Sequence, residues 1–162
     1  MAVNDIILYK APAGCGDTGS KLCNVAPGAT TINVGEPVAR ALGATSVTAA
    51  ATNSPQVGTH YFEGIAMSTS TQTSTAAGKV YVQPFIPGAI YIIKPKVAAT
   101  FDTQAEYDNL VGKRVLIDLT AGSYTLLAAD AAGNGCVIEA MDIKEYPGSI
   151  AFSFRAGASV LA

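Results

Sequence analysis

Glu63–Gly64–Ile65–Ala66–Met67, a run of small and polar residues through Ala77, and then Gly78–Lys79–Val80–Tyr81–Val82–Gln83–Pro84 form the stretch on which the fold turns. It reads as a strand, a chemically inert connection and a second strand, with no acid, base or nucleophile constellation in between. Pro84, Pro87 and Pro95 mark strand limits, because proline cannot donate to a ladder from inside a sheet.

Working outward, short extended pieces are expected at Ile6–Tyr9, Thr30–Val34, Pro37–Leu42, Tyr61–Met67, Lys79–Gln83 and Ala89–Lys94, cut apart by Gly and Pro. Residues 43–58 carry little side chain to bury and read as a long surface connection or arm. Phe101–Gly112 is the helix candidate: Thr103 and Glu106 have capping-box spacing and Gly112 stands where a left-handed stop belongs. Arg114–Leu119 alternates, with Val115, Ile117 and Leu119 opposite Arg114 and Asp118. Asn134–Gly135, between Tyr124–Ala129 and Cys136–Ile143, predicts a type I′ hairpin.

Ser149–Arg155 alternates again after Pro147–Gly148. The expected core is Ile90, Ile92, Val115, Ile117, Ile138, Ile150, Phe152 and Phe154. Together these predict an all-β chain, a single small β-barrel or β-sandwich domain over residues 1–162 with one short helix. Residues 1–34 read as an extended amino-terminal arm and 35–162 as the barrel core.

The 162 residues fit one domain, and a charged fraction of 14% lies well below the roughly 25% of ordinary soluble domains. A net charge of −2 with scattered cations gives no footprint for phosphate backbones, so nucleic acid is not an expected partner. The longest apolar runs fall far short of the roughly 20 residues of a membrane helix, and the amino terminus has no secretory pattern. A cytoplasmic, reducing setting is therefore expected, in which Cys15, Cys23 and Cys136 stay thiols; Cys15 and Cys23 would pair only under oxidising conditions.

No catalytic, cofactor-binding or metal-binding residue is nominated. His60 is the only histidine and no nucleophile elbow accompanies it. A zinc site from Cys15, Cys23, Cys136 and His60 lacks the close ligand pairs such sites use. Asp130–Gly135 partly matches a calcium loop, but Ala132 and Met141 occupy ligand positions. Asp102, Glu106 and Asp108 suit the start of a helix better than paired-carboxylate chemistry. Thr69, Thr71, Thr73 and Thr75 would align in an extended segment as in ice-binding proteins, but no repeat supports stacked rows. Gly28, Gly35, Gly43 and Gly58 match no phosphate loop.

The order Gly35–Glu36–Pro37–Val38, Glu63–Met67, Ala77–Val82 and Pro87–Tyr91 resembles the small β-barrel decoration proteins of tailed-bacteriophage heads. The likeness covers a little over a third of the chain; the half from Phe101 onward is an addition to the simplest members. It implies a non-enzymatic virion protein, assembled in the host cytoplasm, that binds the outer surface of an assembled capsid. There it would cement neighbouring major capsid protein subunits, itself a homo-oligomer with a trimer among the options. Two alternatives remain: a tail-tube or head-tail joining protein, and a secreted binding module, for which a signal and stacking aromatics are missing.

Overall fold

The computed structural model describes residues 6–12, 19–50, 58–86, 88–95, 101–120, 123–127 and 130–155. These form strands β1 (Ile7–Lys10), β2 (Lys21–Val25), β3 (Pro37–Ala41), β4 (Thr48–Ala49), β5 (His60–Ala66), β6 (Gly78–Pro84) and β7 (Ile90–Ile93). Helix α1 (Gln104–Asp108) follows, then β8 (Arg114–Thr120), β9 (Ser123–Leu127), β10 (Cys136–Ile138) and β11 (Ile150–Phe154). The chain is all-β, with two antiparallel sheets ordered β1-β7-β11-β10-β8-β9 and β2-β6-β5-β3-β4.

Each sheet curls until an outer strand touches its far side through one parallel bridge, Pro95 with Leu126 in the larger and Val25 with Val47 in the smaller. The amides of Leu126 and Val47 donate across these seams to the carbonyls of Lys94 and Asn24, at 2.9 and 2.8 Å. Neither sheet forms a closed barrel, so of the barrel-or-sandwich expectation the sandwich-like arrangement is the one adopted.

Two hydrophobic clusters result. The larger contains Ile92, Val115, Ile117, Ile138, Ile150 and Phe152, all expected in the core, while Ile90 and Phe154 pack against it half-buried. The smaller, around Val25, Ile32, Val38, Val47, Val80 and Val82, lies on one face of the five-stranded sheet. Strands β3 and β5 serve both: Ala39 and Phe62 belong to the larger cluster, Val38 and Ala66 to the smaller.

Several expectations are corrected. The region read as an amino-terminal arm supplies strands to both sheets, β1 on β7 and β2 on β6, because Lys21, Cys23 and Val25 alternate inward despite their polar setting. Thr30–Val34 is not a strand; turns at Gly28 and Gly35, with φ of 70° and 85°, isolate it as a plug. Buried Ile32 there donates its amide to Ser70 Oγ at 2.8 Å. The Thr-rich connection is thus a hydrogen-bonded lid on the smaller cluster, Gln72 also donating to the Ala29 carbonyl at 3.0 Å, and not an aligned threonine row. Within the expected surface connection, Val47 and Ala50 are buried and Thr48–Ala49 pairs with β3; residues 51–57 lie outside the described set.

The Asn134–Gly135 hairpin does not form between the expected segments. Strand β9 pairs with β8, and β10 pairs with β11 and β8. The local turn is closed by the Asn134 amide on the Ala131 carbonyl at 3.0 Å, so its centre is Ala132–Gly133. Asn134 is buried, its Nδ2 donating to the Arg114 carbonyl at 2.8 Å. The alternation expected for β8 also fails, since Leu116 and Asp118 are buried along with Val115 and Ile117: both faces of this interior strand are covered.

The helix follows its sequence signals. Thr103 Oγ1 accepts from the Glu106 amide and Glu106 accepts from the Thr103 amide, completing the capping box. Gly112, at φ 85°, ends the turns that follow. Amide hydrogen bonds from Asp102 and Thr103, with the Thr103 hydroxyl, hold the Glu106 carboxyl below its ordinary 4.5.

Tyr107, fully buried, joins this helix to the larger sheet. Its hydroxyl donates to the Glu139 carbonyl at 2.8 Å and accepts from the Ala151 amide at 2.9 Å. Tyr107→Phe strands a buried donor at Ala151 and should lower stability by about 1–3 kcal/mol. Urea unfolding checks this, and a loss under about 0.5 kcal/mol would show that water replaces the hydroxyl.

Candidate functional site

The side chains available to a partner follow from strand alternation. Pairing of Leu22 with Tyr81 and of Ile65 with Gln83 puts these four on the face opposite the smaller cluster, and Met67 continues the Ile65 side. Leu22, Tyr81 and Met67 are 52%, 53% and 54% exposed. Three large apolar side chains therefore stand together on a rigid sheet instead of being scattered singly.

That face leads into an apolar groove of about 170 Å³, walled by Ile65, Phe85, Ile86 and Tyr91 and, from the β1 side, by Ile6 and Leu8. Tyr91 fixes one wall by accepting the Ile86 amide at 2.7 Å. Phe85 lies 4.5 Å from Phe154 and 5.0 Å from Tyr91 between ring centroids, so the floor is an aromatic cluster.

Beyond β1 lies a wider, open groove of about 790 Å³ between β1, the start of α1 and the loop at 140–145. Asp102, Asp108, Asp142 and Glu145 line it with Lys10 and Lys144, an excess of two negative charges. Gln104 holds its walls together: Nε2 donates to Asp108 at 2.7 Å and to the Met141 carbonyl at 3.0 Å, and Oε1 accepts from the Ile143 amide at 3.1 Å. The Tyr9 hydroxyl donates to Glu145, and this bond, with a smaller desolvation, raises the phenol above its usual 10.0.

Sequence reading missed a buried ion cluster. Glu63 is 2% exposed, and its carboxylate pairs with Lys21 from β2 and Arg40 from β3. It is the extra residue of a β-bulge, since Val38 pairs with Gly64 while Ala39 pairs with Phe62. The signal in the sequence was a lone acid among strand formers, Tyr61–Phe62–Glu63–Gly64–Ile65. Burial raises the nearby Cys23 thiol, and the Glu63 charge adds to the effect.

The residues weighed for chemistry are not drawn together. Cys23 lies in the smaller cluster and Cys136 in the larger, where complete burial pushes its thiol far up; Cys15 lies outside the described residues. His60 is half-buried at the start of β5. Asp130 pairs with Arg114 at 2.9 Å, and that hydrogen bond holds its carboxyl below 3.8, while Met141 packs in the core. Among the described residues no three His, Cys, Asp or Glu side chains gather as a metal-ligand set. No family model, curated protein or solved structure matches the chain.

Proposed function

We propose that this chain is a virion structural protein that binds the outer surface of an assembled phage capsid and cements neighbouring major capsid protein subunits. The observation that carries the reading is the exposed apolar face of Leu22, Met67 and Tyr81 on a sheet fixed from behind by a packed core. An apolar group on a rigid face loses little conformational entropy on docking, which suits a partner met many times over on a lattice. The segments that carry the family likeness contribute β3, β5, β6 and β7, and β6 holds Tyr81 on this face.

A protein that binds only the assembled shell stabilises it by mass action. Added to expanded shells lacking it, the protein should sediment with them and raise the temperature at which they release their genome. Leu22→Asp with Tyr81→Asp should abolish both effects while leaving the circular dichroism strand-dominated. An unchanged rupture temperature overturns the reading, and tubes formed by the isolated chain in the same buffers would favour a tail subunit, which polymerises through its own heterologous interface.

A further inference from the structure

We infer that the outer edge of β1 accepts an extended segment of a partner protein, as an added strand whose alternate side chains are apolar and basic. Among the described residues β1 pairs on one side only, with β7, at the end of the six-stranded sheet. Such an edge presents unpaired backbone groups to any strand that can lie along it. What distinguishes this edge is the pair of grooves beside it. Leu8 lines the apolar groove, and Tyr9 and Lys10 line the acidic one.

The register shift between Leu8 and Lys10 explains why neighbours reach that second side together; Lys10 Nζ stands 4.7 Å from the Tyr9 ring centroid. An added strand sends successive side chains to opposite faces. Every second residue would therefore meet the apolar wall, and the residues between would meet the excess of carboxylates. Main-chain hydrogen bonds give such a complex its affinity, and the two grooves give it a sequence code. The same bulge and the Lys10 charge discourage pairing in other registers or with the apolar β1 of a second copy.

The test uses the whole chain and fluorescein-labelled peptides read by anisotropy. A peptide alternating valine and lysine should bind. One alternating valine and glutamate should not, nor should a peptide with the same valines and lysines in blocks. N-methylation of one alternate set of amides should abolish binding and of the other set should be tolerated, since only one set faces β1. Leu8→Lys should remove binding, and Asp102→Asn should weaken it about two- to fivefold, the range of an exposed charge pair.

Equal binding of the blocked peptide, indifference to both methylation patterns, or no binding at all overturns the inference. So does a concentration-dependent dimer that Leu8→Lys dissolves, because the occupant is then a second copy. Shell binding without peptide binding sinks this inference alone, and peptide binding without shell binding sinks only the decoration role.

Discussion

Phe152→Ala should lower unfolding stability by about 3–5 kcal/mol, the range for deleting a buried aromatic ring from a core that only partly collapses. Phe152 is fully buried on β11, which pairs with β10 on one side and β7 on the other. Its ring lies 6.0 Å from Tyr91 and 5.4 Å from Phe154, so truncation opens a hole beside two further aromatics. Since domains are typically stable by only about 5–15 kcal/mol, this variant should unfold at markedly lower urea. Phe152→Leu should lose much less, because it keeps most of the volume. A Phe152→Ala loss below about 1 kcal/mol would mean that the ring is not a core element.

Gly64→Ala should be at least as damaging for its size, at about 4 kcal/mol or more, where strain and backbone clash act together. Gly64 has φ 151°, which side-chain-bearing residues rarely adopt. A Cβ there would overlap the Gln83 carbonyl oxygen and stand 2.6 Å from its carbon and 2.8 Å from Pro84 Cα. These are backbone atoms of the paired strand β6, so relief requires pulling the β5–β6 ladder apart. Gly133→Ala is the control: its φ is ordinary and nothing lies within 4 Å of the added carbon. Equal melting temperatures for the two variants would rule out the close strand approach.

The contrast between what was legible and what was not follows the range of the interactions. The capping box of Thr103 and Glu106 spans one turn and needs nothing distant, so it could be read directly. Alternation in the sequence located Ile92, Ile138, Ile150 and Phe152 correctly, but of their three strands only β10 buries every second residue. Strands β7 and β11 lie inside the sheet and bury Tyr91–Ile93 and Ile150–Phe152 consecutively, which local period cannot reveal. The Asn134–Gly135 signal misled because β10 takes its partners from β11 and β8, not from the segment just before it. Strand β2 was invisible because Lys21–Leu22–Cys23–Asn24–Val25 offers few large apolar residues, and only its ladder with β6 makes it a strand. The exposed face was hidden for the converse reason: Leu22, Met67 and Tyr81 have the composition of core residues.

The sharing of β3 and β5 between the two clusters constrains how this chain can drift. Val38 and Ala39 are neighbours whose side chains fill different interiors, and on β5 Phe62 and Ala66, on either side of the bulge, are likewise divided between the two. A rotation of β3 that made room for a bulkier residue in one interior would press the adjacent residue into the other. Substitutions in the two interiors should therefore not accumulate independently, since residues coupled through one backbone shift show interaction energies of either sign. Homologues that enlarge position 38 are expected to change position 39 or its neighbours in the same lineage, giving a covariation signal between side chains that never touch.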